Sequence, residues 1–168
     1  QDEKKMGLKG SVTSQLFFEN CRIPAENLLG RENEGFKQFL TTLDAGRIAI
    51  SAMALGLAQG AFEKAVSYAK ERVQFDKPIG SFQAIQHHCA NMLIDVEGSK
   101  FLTYQAAWKV SEGMDATLEV SMAKAWVSEA YRRVARLGHQ IHGGIGFCMD
   151  HNMPLYFKHA KEAESLYG

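Results

Sequence analysis

The sequence predicts an all-α fold, an up-and-down four-helix bundle preceded by an extended β-strand arm over residues 9–24. Three observations predict it. After Gly30, apolar residues recur at three- and four-residue steps in four successive segments, the period of a helix with one buried face. The segments are joined by short connections bearing Gly, Pro or Asp, which return consecutive helices antiparallel. Before Pro24, by contrast, Ser11-Val12-Thr13-Ser14-Gln15-Leu16-Phe17-Phe18 alternates and is rich in β-branched and aromatic side chains, the period of a strand.

Each element has its own signal. A lone strand leaves its edges unpaired, so the arm implies a sheet that residues 31–168 do not supply. The first helix is expected over residues 34–72, with Phe36, Phe39, Leu40, Leu43, Ile50, Met53, Ala54, Leu57 and Ala61 along one stripe. At 1.5 Å per residue it is about 58 Å long, which points to contacts beyond the subunit. Gly46, Gly56 and Gly60 weaken it locally and leave room for a close neighbour or a ligand. Asp76-Lys77-Pro78-Ile79-Gly80 is a turn, after which Ser81 is positioned to cap a second helix. That helix has a stripe of Phe82, Ile85, Cys89, Met92, Val96, Phe101, Tyr104 and Trp108, and Gly113 ends it. Asp115 is positioned to cap a third helix running to about Ile141, with Met122, Ala125, Trp126, Ala130, Val134 and Leu137 inside. A short fourth helix starts at Asn152-Met153-Pro154, because proline suits a first helical turn.

Composition excludes several classes of function. Lys plus Arg and Asp plus Glu both number 19, and the basic residues are interleaved with acids, so there is no footprint for nucleic acid. Cys21, Cys89 and Cys148 make neither a CxxC pair nor a disulfide framework, consistent with a reducing compartment, bacterial cytoplasm or mitochondrial matrix. No run of eighteen apolar residues occurs, so no membrane span is expected. A start at Gln1 without an initiator Met predicts a piece of a longer chain.

Three constellations invite chemistry, each with a plainer reading beside it. Gly143-Gly144-Ile145-Gly146 follows a helix rather than a strand, so spacing alone reads it as a helix terminator, not a phosphate loop. His139 and His142 stand three apart on a helix but lack a carboxylate or thiol at ligand spacing, and no metal site is predicted. Asp44 and Arg47 share a helical face, where a surface ion pair is the simplest reading. Periodicity by itself stops at a helical bundle.

The order of longer segments goes further. Phe17-Phe18-Glu19-Asn20-Cys21-Arg22-Ile23-Pro24, Gly35-Phe36 and Glu71-Arg72-Val73-Gln74-Phe75 are followed by Pro78-Ile79-Gly80 and Phe82-Gln83-Ala84-Ile85-Gln86. Ala90-Asn91-Met92 and Gln140-Ile141-His142-Gly143-Gly144-Ile145-Gly146-Phe147 complete the series. In that order they resemble the acyl-CoA dehydrogenase family. The resemblance implies that residues 1–30 are the end of a middle β-domain and 31–168 the C-terminal helical domain. It implies FAD as cofactor, with Arg72 reaching the diphosphate on a neighbouring subunit and Phe75 packing nearby. Gln83, Gln140, Gly143 and Gly144 match positions beside the same cofactor, and Asp44, Arg47 and Tyr167 match positions facing the acyl-CoA. The implied chemistry is α,β-desaturation of an acyl-CoA thioester: a carboxylate takes an α-proton, a hydride leaves the β-carbon for the flavin, and electrons pass to an electron-transfer flavoprotein. A homodimer or homotetramer is implied as well.

One departure from the family pattern concerns the base. The family glutamate falls at Tyr167, and the alternative glutamate, directly before the arginine matching Arg47, falls at Gly46. No catalytic base is therefore expected between Gln1 and Gly168, and a carboxylate just past Gly168 is the remaining candidate. Glu164, one turn back, is expected to face solvent, and Tyr167 to line the acyl pocket. The alternatives are a non-catalytic subunit of a heteromeric complex and a cofactor-free helical interaction module.

Overall fold

The computed structural model of the chain describes residues 2–167, so Gln1 and Gly168 lie outside the described residues. The helices are α1 (Gly35–Glu71), α2 (Gln83–Ser111), α3 (Thr117–His142) and α4 (Met153–Ser165). Between α1 and α2 lies a small antiparallel hairpin, β1 (Val73–Gln74) and β2 (Lys77–Pro78). α3 is the hub, packing on α1, α2 and α4.

The seam between helices is built from small residues. Ala54, Ala58, Ala61, Ala65 and Ala69 of α1 are buried at three- and four-residue steps. They let α1 approach the larger Val127, Tyr131 and Val134 of α3 and Met92 and Val96 of α2. Gly138 belongs to the same seam: a Cβ there would press on Met153 Sδ at 3.1 Å and approach the Ala61 carbonyl at 3.9 Å. An ion pair locks α2 to α3, with the Asp95 carboxylate taking Arg133 Nη2 at 2.7 Å and Nε at 3.0 Å.

The predicted stripes hold in part. In α1 the half from Ile50 onward is buried as expected, but Phe36, Phe39 and Leu40 are exposed. In α2, Met92 and Val96 are core, whereas Phe101, Tyr104 and Trp108 are exposed; Ser99, Thr103 and Ala106 hold the buried face instead. The step from Val96 to Phe101 spans five residues and leaves the helical stripe, while Ser99, Thr103 and Ala106 stay on it. In α3, Ala130 and Val134 are buried, but Met122, Ala125 and Trp126 face outward, and Val120, Ala123, Lys124 and Val127 point in. Aromatic size is a poor guide here, because the packed faces are the ones lined with small residues.

The helix ends also sort out. Ser81 does not cap α2: its hydroxyl donates to the Pro78 carbonyl at 2.8 Å, and the residue at the cap position is Phe82. Asp115 accepts from the Thr117 N–H at 3.1 Å, satisfying the first helical donor of α3 from one residue further out than expected. Gly113, at φ 68°, closes α2 with the Met114 N–H on the Lys109 carbonyl and its own N–H on Val110, the paired bonds of a Schellman motif. Met153-Pro154 opens α4 as predicted.

The arm crosses the surface without a helix before residue 25, with Leu16, Phe17 and Phe18 exposed. It is not a continuous strand. Among the described residues its pairing is a single bridge, Asp2 with Ser14, supported by the Glu3 N–H on the Thr13 carbonyl at 2.9 Å. Among the described helices α1 alone is long and apolar enough, by length and composition, to cross a bilayer, although it holds no run of eighteen apolar residues. Here it serves as a bundle helix, with its alanine row against α3.

The hairpin turn is Phe75-Asp76, both residues at positive φ (54° and 63°), the backbone of a type I′ turn that normally carries Asn-Gly or Asp-Gly. Asp76→Gly is therefore expected to stabilise the protein by about 0.5–1 kcal/mol. Asp76→Val should lower the melting temperature, and equal melting temperatures for both variants would count against a strained turn.

Candidate functional site

The candidate residues collect at opposite ends of the bundle. Arg72 and Arg47 are separated by most of α1, about 38 Å at 1.5 Å per residue.

At one end lies the hairpin. Arg72 terminates α1, and its carbonyl accepts the Ile79 N–H at 2.8 Å, which closes the loop. Its guanidinium is exposed and has no acidic partner among the described residues. Phe75 is 86% exposed, which a left-handed aromatic at a loop tip reaches only by giving up core packing. Its ring meets Phe82 edge-on at 6.1 Å, and Lys77 Nζ lies 4.4 Å over the same Phe82 ring. Gln83 follows at the first position of α2, exposed, where the leading N–H groups have no side-chain cap. Arg72, Phe75 and Gln83 are thus all exposed around the hairpin.

Gln140, Gly143 and Gly144 form a second group, on the C-terminal end of α3. Gln140 is exposed on the rim of a mainly apolar cleft of about 310 Å³ with His139, Phe147 and Phe157. Gly143 has φ 62°, and a Cβ at this position would meet no heavy atom within 4 Å; Gly144 is equally open. Tyr68, one turn before Arg72, stacks on His142 at 4.5 Å and ties the two groups together. Burial pushes His139 and His142 below the usual imidazole range, and for His142 a bond to the Gly138 carbonyl at 2.7 Å partly opposes this.

At the other end, Asp44, Arg47 and Tyr167 are brought together. Arg47 Nη1 donates to Asp44 at 3.0 Å, and Nε donates to the Tyr167 carbonyl at 3.0 Å. Arg47 therefore does more than pair on a surface: its second bond ties α1 to the chain following α4. Tyr167, at φ 61°, lays its ring on Gly46, where any Cβ would overlap it. The two positions that lack the expected glutamate are thus in contact, and each is shaped for the other.

Beside them is a polar cleft of about 340 Å³ lined by Arg47, Ser121, Lys124, Ser128, Glu129 and Glu164. Glu164 does not simply face solvent. Its carboxylate lines this cleft and is held by Arg132 at 2.9 Å and Lys161 at 3.1 Å. The sequence reading also passes over Lys124, which is only 5% exposed. A signal for it exists: Lys124 falls between Val120 and Val127 on the buried spacing of α3. Burial, and then the nearby Arg47, push its ammonium below the usual lysine range.

The fold is that of a four-helix bundle domain, with the Arg72 hairpin at one end and the Arg47-lined cleft at the other. Comparison with known proteins gives its family. A profile described as "Acyl-CoA dehydrogenase, C-terminal domain" matches residues 33–168. The chain is 43% identical to a probable acyl-CoA dehydrogenase of Bacillus subtilis over 95% of its own length and 42% of that protein's. It is 42% identical to an acryloyl-CoA reductase (NADH) of Anaerotignum propionicum, over 99% of the chain and 42% of the relative. It superposes on butyryl-CoA dehydrogenase from Megasphaera elsdenii with a TM-score of 0.96 at 40% identity, covering 100% of this chain and 44% of that one. The chain belongs to the acyl-CoA dehydrogenase family, as its C-terminal domain, and spans less than half the length of these relatives.

Proposed function

We propose that this chain is the C-terminal helical domain, with the end of a middle β-domain in residues 1–30, of an FAD-dependent enzyme that desaturates an acyl-CoA thioester between its α- and β-carbons. The observation that carries the reading is the separation of two built ends on one helix. An arginine without an acidic partner, beside an exposed aromatic and open glycines, fits a dinucleotide, since a guanidinium offers fixed donors to a diphosphate and Gly143 and Gly144 leave space for close approach. FAD, when bound, supplies a two-electron acceptor. Arg72 and Phe75 would then hold its diphosphate region, Gln83 and Gln140 would lie near the cofactor, and Gly143 and Gly144 would let the backbone approach its adenosine part. At the far end Asp44, Arg47 and Tyr167 face the acyl-CoA. The family resemblance implies that the hairpin serves the cofactor of a neighbouring subunit, and with it a homodimer or homotetramer. Several relatives are named as reductases, one of them as a subunit of a caffeyl-CoA reductase-Etf complex, which supports an electron-transfer flavoprotein as partner.

The second reading, a subunit that does not itself abstract the proton, is favoured by one observation. Gly46 and Tyr167 occupy both base positions, and Glu164 is neutralised between two cations. A phenol is a poorer proton acceptor at neutral pH than a carboxylate.

The test uses the full-length protein. Anaerobic addition of acyl-CoA should bleach its flavin absorbance, and Tyr167→Phe should leave substantial turnover because the ring, not the hydroxyl, fills the Gly46 seat. Loss of turnover by several orders of magnitude in Tyr167→Phe, with flavin content unchanged, would make Tyr167 the base. Residues 1–168 alone should purify colourless, since only the end of the β-domain is present; a stoichiometric yellow protein would contradict this.

A further inference from the structure

Helix α4 ends without the usual devices. It has no basic residue in its last turn, and its cap residue is Leu166 rather than glycine. Its terminal carbonyls nevertheless find donors. Leu166 N–H serves Glu162 at 3.1 Å, and the Ser165 hydroxyl serves Lys161 at 3.3 Å. Two further carbonyls are met from other helices: Lys124 Nζ, on α3, donates to that of Glu164 at 3.1 Å, and Arg47 Nε, on α1, donates to that of Tyr167. Lys124 is held in line by Ser128 Oγ at 2.9 Å. A buried ammonium loses hydration, and the pair of cations here repel one another, so this arrangement persists only if the contact is worth its desolvation. The negative end of the α4 dipole supplies part of that return.

We propose that Lys124 is a positioning residue, which caps α4 from outside through the Glu164 carbonyl and so holds Tyr167 in its left-handed seat on Gly46. Neither the family resemblance nor the known relatives assign it this role. The geometric part concerns only α1, α3 and α4; the consequence for turnover rests on the reading that Tyr167 faces the acyl group.

Lys124→Met in the full-length protein separates the two. Amide hydrogen exchange in the peptide covering residues 162–168 should speed up about tenfold or more, the loss of one charged hydrogen bond, while residues 153–160 keep their protection. Unchanged exchange at 162–168, or equal loosening along all of α4, overturns the proposal. Turnover of acyl-CoA is then compared in two backgrounds. Lys124→Met should lower kcat/KM about tenfold in the wild-type background and produce no further loss when added to Tyr167→Ala. The same fold-loss in both backgrounds means Lys124 does not act through Tyr167, and overturns the positioning role. If the wild-type protein turns over no acyl-CoA, the functional reading fails, and the exchange comparison still decides the cap. If Lys124→Met does not fold, Lys124→Gln carries the same comparison with a smaller, polar side chain.

Discussion

Tyr131→Ala is expected to destabilise the fold by about 3–5 kcal/mol, enough to unfold a marginal domain. Tyr131 is fully buried at the centre of α3, among the alanine row of α1 and the Met153 end of α4, and truncation would leave a cavity that three rigid helices cannot close. Its hydroxyl has no hydrogen-bond partner among the described residues, and burial with Tyr156 alongside pushes the phenol well above its ordinary range. Tyr131→Phe should therefore be neutral or stabilising, because it removes an unsatisfied polar atom and keeps the ring. Urea unfolding of both variants checks this. A Tyr131→Phe protein as unstable as Tyr131→Ala would mean that the hydroxyl, not the ring, supports the core.

Arg72→Ala in the full-length protein should weaken FAD retention by about 1.5–3 kcal/mol, or roughly ten- to over a hundredfold. The fold gives Arg72 no acidic partner among the described residues, so its charge is available to a ligand and its removal strands no carboxylate. The melting temperature of the flavin-free protein should stay near that of the wild type. Arg72→Lys should recover only part of the affinity, since a point charge cannot present the paired donors of a guanidinium. Flavin titration followed by fluorescence reads both. Undiminished FAD affinity in Arg72→Ala would remove this hairpin from the cofactor site.

Much of the architecture is legible in the sequence because it depends on local rules. The helical period after Gly30, the left-handed Gly113 and Met153-Pro154 each dictate backbone over a few residues, and all appear where expected. Arg72, Phe75 and Gln83 lie within twelve residues of one another around one hairpin, so their closeness along the chain is legible, while their role is only what the family resemblance implies. Which face each helix buries is less legible. Large aromatics on α2 and α3 look like core, yet the close α1–α3 approach is made by alanine, serine and glycine, so Phe101, Tyr104, Trp108 and Trp126 are left outside.

The number, order and approximate bounds of the helices, and the residues that carry the family resemblance, are written in the chain, because helix periodicity and turn chemistry act between neighbours. Packing in three dimensions was needed to make Gly46 the seat of Tyr167, to let Arg47 tie Tyr167 to α1, and to turn Lys124 and Glu164 into the cleft. Those relations join residues from 40 to 121 positions apart. They follow from the angle at which α4 returns across α1 and α3, and no local pattern encodes that angle: it is set by how closely the small-residue seams allow the helices to pack.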